Sequence, residues 1–137
     1  MPVDLEALGR SVKRLQYRHH RAMEVGLTQI GTTLAQWDAL RAIANNPGAP
    51  AHALALATFQ SDQSFGTLAT RLVDQRLIVR KPGRGRRIEH ELTADGEAVL
   101  AAGYPVSTGV LAASFADLSA AERATLFDLI GRAGGTR

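Results

Sequence analysis

The 137-residue sequence contains no cysteine. Disulfides, Cys-ligated zinc and thiol-based redox sensing by this chain are therefore excluded. It has no run of about 18 apolar residues, so no segment is expected to cross a membrane as a helix. Its start lacks the apolar stretch of a signal peptide and carries Asp4 and Glu6, which makes a cytoplasmic protein the expectation. Catalytic signatures are missing as well. There is no Gly-x-Ser-x-Gly, no phosphate-binding glycine loop and no carboxylate pair in an apolar setting, so neither an enzyme nor a cofactor is expected. The four histidines do not have metal-ligand spacing. His19 and His20 are adjacent and point about 100° apart on a helix, and His52 and His90 lie far off in sequence, so no metal site is expected. Repeats and low-complexity segments are absent too.

What the sequence has is an uneven charge. Apolar residues make up 45%, enough for a core, and the net charge is only +3. Between Arg71 and Arg87, however, stand seven cations (Arg71, Arg76, Arg80, Lys81, Arg84, Arg86, Arg87) and one acid, Asp74. That stretch carries +6 and the remainder −3, a basic module on a mildly acidic scaffold. The cations cluster on a Gly/Pro turn, Arg80-Lys81-Pro82-Gly83-Arg84-Gly85-Arg86-Arg87, between two apolar-alternating runs. Those runs, 77–80 and 87–92, read as the strands of a hairpin. Contact with a polyanion is the task such a loop suits.

The elements around the hairpin are helical. Leu5, Leu8, Val12 and Leu15, followed by His19 and Ala22, form a heptad-like seam on a long first helix that stops near Gly26 and Gly31. A second helix from Leu34 to Ala44 puts Leu34, Trp37 and Leu40 on one face, with Thr32 or Thr33 as cap and Asn45-Asn46-Pro47-Gly48 as stop. Pro50 opens a short helix to about Ala57. A further helix from about Ser61 to Arg76 buries Phe65, Leu68 and Leu72 and presents Gln63, Ser64, Thr67, Thr70 and Arg71 on a polar face. After the hairpin, Thr93 caps a helix running towards Phe115, which Pro105 is expected to kink or split. Ser119-Ala120-Ala121-Glu122 is a capping box opening a last helix, packed through Leu126, Leu129, Ile130 and Ala133 and ended by Gly131, Gly134 and Gly135. The order is that of a helix-turn-helix followed by a β-wing.

That order, together with Leu27-Thr28 ahead of Gln36-Trp37-Asp38-Ala39-Leu40, Arg71-Leu72-Val73-Asp74-Gln75-Arg76-Leu77-Ile78-Val79-Arg80, and Leu92-Thr93-Ala94-Asp95-Gly96, resembles the MarR family (multiple antibiotic resistance regulators). The resemblance implies a mostly α fold with a small two- or three-stranded β-wing, a winged helix-turn-helix flanked by N- and C-terminal dimerisation helices. It implies one domain over 1–137, with a DNA-binding lobe at 32–97 and a helical dimerisation region at 1–30 and 98–137. The chain departs from the family pattern at three places. Gly66-Thr67 stands where a Thr-Arg pair is frequent, Arg76 where Gly usually precedes the wing, and Arg84 where an Asp usually orients the wing-tip Arg, here Arg86.

The function so implied is sequence-specific double-stranded DNA binding by a transcriptional regulator, a homodimeric repressor on a pseudo-palindromic operator, released by a small aromatic or other anionic effector. Ser61, Gln63, Ser64, Thr67, Arg71, Arg84, Arg86 and Arg87 are the expected DNA contacts, with Arg80 and Lys81 beside them. Gln63, Ser64 and Thr67 suit base edges, and the wing arginines suit phosphates or a narrow minor groove. Leu5, Leu8, Val12, Leu15, Leu126, Leu129 and Ile130 are the expected dimer interface, with packing of the same stripe inside one chain as the alternative. Tyr17, His20, Trp37, Arg41 and Tyr104 are the candidate effector pocket, Trp37 being equally suited to the core. The competing functions are a winged-helix protein-interaction module and a non-specific DNA-binding protein without effector response.

Overall fold

Asp4 opens the first helix by accepting a hydrogen bond from the Glu6 amide at 3.0 Å, which satisfies one of the donors a helix start leaves unpaired. The computed structural model describes residues 2–135, so the outermost residues of the expected domain, 1, 136 and 137, lie outside the described residues. The elements are α1 (Leu5–Gln29), α2 (Leu34–Asn45), α3 (Ala51–Ala57), α4 (Asp62–Asp74), β1 (Ile78–Pro82), β2 (Ile88–Leu92), α5 (Ala94–Ser114) and α6 (Ala120–Gly134). Among the described residues the wing has two strands, paired antiparallel with Ile78 opposite Leu92 and Pro82 opposite Ile88.

The caps fall where short polar residues precede apolar runs. Thr33 caps α2, Ser61 caps α4, Thr93 caps α5, and Ser119 with Glu122 forms a reciprocal capping box on α6. The Glu24 carboxylate accepts from the Leu34 amide at 2.8 Å, which fixes the start of α2 against α1.

The core lies where α2 meets α1, α3, α4, β2 and α5. Leu27, Trp37, Leu40, Leu54, Phe65, Leu72 and Ile78 are its fully buried large side chains. α1 reaches this core through Met23 and Leu27, while Ala22 stays exposed. A 3.6-residue helix drifts away from a 3.5-residue seam, so the buried line leaves the heptad positions after His19.

Three glycines set how closely α5 approaches its neighbours. A Cβ on Gly103 would come within 2.0 Å of Trp37 Nε1, and one on Gly26 within 2.4 Å of a Val106 methyl. These contacts flank Pro105, and α5 runs through that proline as one helix, which removes the split from the kink or split that the sequence suggested. A Cβ on Gly96 would come within 2.0 Å of the Leu77 carbonyl oxygen. The Thr93 hydroxyl accepts from Gly96 N at 3.1 Å and donates to Arg76 O at 2.7 Å. The Leu92-Thr93-Ala94-Asp95-Gly96 run therefore fastens the wing base to the start of α5.

The seam of α1 is not covered within the chain. Leu5 is 78% and Val12 62% exposed, Leu8 is exposed, and Leu15 is half-buried. α6 buries none of its residues: Phe127, Leu129 and Ile130 are exposed and Leu126 is only half-buried. Intrachain packing of the two stripes, the alternative left open by the sequence, is not what this chain adopts.

Candidate nucleic-acid interface

The 13 residues of α4 divide cleanly into two faces. Phe65, Leu68, Ala69 and Leu72 are buried, and Gln63, Ser64, Thr67 and Arg71 line a shallow groove on the opposite, exposed side. Steps of three and four residues put these polar groups on one face. Ser61 accepts from the Ser64 amide at 3.1 Å, so its oxygen is committed as the cap. The Thr67 hydroxyl donates to Gln63 O at 3.1 Å, which leaves its oxygen free to accept and its methyl free for apolar contact. A Cβ on Gly66 would meet nothing within 4 Å, so no packing within the chain requires glycine there.

The helix ends in a strained residue. Arg76 has φ +61, left-handed backbone that a residue with a Cβ adopts at a cost. Arg76 stands where the resembled family usually has glycine, and the left-handed backbone is the reason glycine suits that position. Phe59, in the turn before α4, also has positive φ (57) and is 96% exposed. Neither its conformation nor its exposure was signalled by the sequence.

The wing tip is a tight turn. Gly83 N donates to Arg87 O at 2.8 Å and Arg87 N to Arg84 O at 3.2 Å, with Gly85 at φ +63. The basic residues then part company. Lys81 pairs with Glu91 at 2.5 Å, Arg80 donates to Thr70 of α4 at 3.0 Å, and Arg87 donates to Gly48 O in the turn after α2 at 3.4 Å. Arg84 and Arg86 are exposed and make no side-chain hydrogen bond or ion pair among the described residues. Arg80 and Arg87 thus tie the wing to α4 and to the α2–α3 turn, Lys81 pairs across the hairpin, and Arg84 and Arg86 project from it as free cations. Arg71 is exposed on the α4 face.

His90 of β2 lies far in sequence from the other histidines. It is 6% exposed, and its ring meets Phe65 of α4 edge-on at 6.1 Å between centroids. Burial, and then the charge of Arg80, lowers its pKa below the ordinary histidine value.

The residues proposed from the sequence as an effector pocket separate. Trp37, Arg41 and Tyr104 come together: Trp37 meets Tyr104 edge-on at 5.4 Å, and the Arg41 guanidinium lies 5.2 Å from the indole centroid. Trp37 is core, 1% exposed, with Nε1 donating to Leu100 O at 3.0 Å. Arg41 is paired with Asp38. Tyr17 and His20 are exposed on α1, and no hydrogen bond, ion pair or ring contact joins them to the other three among the described residues.

A helix-turn-helix whose last helix is followed by a two-stranded basic wing defines the winged-helix class of fold. Residues 30–88 match the MarR family model, and the chain as a whole has the fold of solved MarR-family regulators. A mutant MarR from E. coli, solved with operator DNA, is 21% identical with a TM-score of 0.85 over 93% of each chain. A probable transcriptional regulator from Pseudomonas aeruginosa is 27% identical with a TM-score of 0.78, over 90% of this chain and 94% of that one. A MarR family protein of Mycobacterium tuberculosis, solved with p-aminosalicylic acid, is 24% identical with a TM-score of 0.75, over 93% of this chain and 98% of that one. No curated protein matches the sequence. Among the described residues no helix is long and apolar enough to cross a membrane.

Proposed function

We propose that this chain is a cytoplasmic transcriptional regulator that binds double-stranded DNA sequence-specifically as a homodimer. The observation that carries the reading is the pairing of two exposed surfaces: the Gln63, Ser64, Thr67 and Arg71 face of α4, and the unpaired Arg84 and Arg86 at the wing tip. α4 enters the major groove, where Gln63 suits adenine N6 and N7, and the wing arginines contact phosphates or the adjacent minor groove. The operator DNA in the solved E. coli relative supports this docking.

The lobe at 32–97 reads DNA, and 1–30 with 98–137 form the dimer. The bare stripes of α1 and α6 support that division, because exposed Leu5, Leu8, Val12, Leu129 and Ile130 leave an apolar surface that a second copy would cover. A two-fold dimer matches a pseudo-palindromic operator with half-sites about one helical turn apart. Repression follows when such an operator overlaps a promoter, and release by a small molecule is the form of control that the p-aminosalicylic acid complex of the M. tuberculosis relative supports.

The test is fluorescence anisotropy of a labelled duplex from the gene's upstream region beside a shuffled duplex, at two salt concentrations. Tight binding to the native duplex alone, surviving the higher salt, is the expected result. Equal and salt-labile binding to both duplexes would reduce the function to backbone affinity.

A further inference from the structure

The charge outside the wing is not evenly spread. Residues 7–23 of α1 hold Arg10, Lys13, Arg14, Arg18 and Arg21 and no acid, a local charge of +5, which leaves −8 on the rest of the chain outside 71–87. All five side chains are exposed, and none makes a hydrogen bond or ion pair among the described residues. The acids nearest to them on the helix do not neutralise them. Glu6 lies in the first turn, before the stretch, and the Glu24 carboxylate is committed to the Leu34 amide at 2.8 Å.

The cations share one side of the helix. At about 100° per residue, Arg10, Arg14 and Arg21 point within about 40° of one another, with Arg18 and Lys13 on either side of them. Leu5, Leu8, Val12 and Leu15 lie on the opposite side. So does His19, whose ring bonds Ser114 Oγ at the end of α5 and meets Phe115 edge-on. The basic ridge therefore faces away from α5 and from the apolar stripe. A dimer formed through that stripe leaves the ridge exposed.

Like charges one turn apart on a helix repel, and no acid on this face offsets the run Arg10, Arg14, Arg18. A polyanion lying along the face does offset it. At 1.5 Å rise per residue these three stand about 6 Å apart along the axis. They form a line, which suits a chain of phosphates, and not a nest around one small anion. Four of the five are arginine, whose planar fork bonds phosphate oxygens in pairs. Tyr17, 58% exposed, stands among them, and its phenol is a further donor to phosphate.

We propose that this face of α1 is a second DNA-binding surface, which holds the sugar-phosphate backbone of a duplex separately from α4 and the wing. Its contacts carry no sequence information. They raise the affinity for any duplex and its salt dependence, and leave the motif selected by α4 unchanged. The choice of duplex DNA as the polyanion rests on the DNA-binding reading.

The experiment is fluorescence anisotropy of the full chain on a labelled duplex of scrambled sequence, over a series of salt concentrations. Three proteins are compared: the parent, an Arg10→Gln/Arg14→Gln/Arg18→Gln/Arg21→Gln ridge variant and an Arg84→Gln/Arg86→Gln wing variant. The ridge variant is expected to bind about tenfold or more weaker at low salt and to lower the slope of log affinity against log salt by about two or more, since each phosphate contact adds about 0.9. Its melting temperature is expected to stay level or rise, because like charges have been removed. If the quadruple variant melts early, Arg14→Gln/Arg18→Gln gives the same readout, with a slope lower by about one or more. A folded ridge variant with the parent's slope overturns the proposal. So does parent binding to phosphatidylserine vesicles that matches binding to the duplex and is lost in the ridge variant, which would assign the ridge to a lipid surface. The wing variant separates the two readings. Loss in the wing variant alone keeps the DNA reading and removes the ridge, whereas loss in the ridge variant alone keeps the ridge and removes the wing from DNA.

Discussion

Arg80 of the wing donates to the Thr70 hydroxyl of α4 at 3.0 Å, and that hydroxyl in turn donates to the Gly66 carbonyl. The two surfaces assigned to DNA are therefore tied to each other, not only to the core. The tie is exposed and is worth about 0.5–1.5 kcal/mol, as a typical hydrogen bond is. Thr70→Val keeps the shape and every charge but removes the acceptor. It is expected to lower DNA affinity about three- to tenfold by freeing the wing, with little change in melting temperature. Anisotropy titration that finds the Val variant equal to the parent would remove this bond from the binding mechanism.

The packing of α5 on α2 depends on a missing side chain. Gly103 lies against the Trp37 indole, whose Nε1 is bonded to Leu100 O one turn earlier in α5. Gly103→Ala pushes a methyl into the ring of a fully buried residue. The expected cost is about 1–3 kcal/mol or more, the range for overpacked cores, despite the better helix propensity of alanine. Thermal and urea denaturation measure it; a melting temperature equal to or above that of the parent contradicts the contact.

The helix starts and the two faces of α4 were legible in the sequence because they are local. Ser61, Thr93 and Ser119 cap where short polar residues precede apolar periodicity, and α4 alternates with a 3.6-residue period. Relations across the chain were not. The distance between Gly103 and Trp37 is a property of two helices 66 positions apart, and no pattern in either helix encodes it. The sequence shows His90 on one face of a strand, but its burial depends on Phe65 arriving from α4. The sequence set Arg84, Arg86 and Arg87 apart from Arg80 and Lys81, and the placing of Arg87 among the anchored groups follows from the Gly48 carbonyl that the α2–α3 turn brings close. Pro105 looked like a breaker because propensity is local, whereas the contacts at Gly103 and Val106 hold α5 together on both sides of it.

Arg76 holds a left-handed backbone at the junction of α4 and the wing. Arg76→Gly relieves that strain and is expected to raise stability by up to about 1 kcal/mol, the net of αL relief and the greater freedom of glycine in the unfolded chain. The same change removes a cation beside the surface proposed to face DNA, so affinity for any duplex is expected to fall modestly. Stability falling with the substitution would mean that the Arg76 side chain contributes more to the folded state than its backbone costs.

Burial and Arg80 lower the pKa of His90, so the folded protein favours the neutral ring. Between the folded and unfolded pKa values the unfolded chain binds more protons, and stability rises with pH in that window. The contribution is fully present above the unfolded value near 6.5 and is lost as pH falls through the lower folded value. His90→Phe keeps a ring against Phe65 and abolishes the titration. Urea midpoints from pH 7.5 to 5.5 are expected to drop more steeply for the parent than for the variant, a difference in which the other histidines cancel. Parallel profiles would show that His90 does not govern acid sensitivity.

Arg86 and Gln63 are expected to separate backbone affinity from base recognition. Arg86 is a free cation at the wing tip, and Gln63 is a neutral amide at the exposed N-terminal end of α4. Each phosphate neutralised adds about −0.9 to the slope of log affinity against log salt. Arg86→Ala is therefore expected to weaken binding to all sequences and to reduce that slope by about one. Gln63→Ala should leave the slope in place and relax preference at the base pair it reads, at a cost of about 1–3 kcal/mol on the preferred site. Salt titrations and binding-site selection on both variants distinguish the two roles. An unchanged slope removes Arg86 from the interface, and an unchanged selected motif removes Gln63 from base readout. If both changes instead lowered affinity uniformly with the motif intact, specificity would reside in DNA shape, not in base edges.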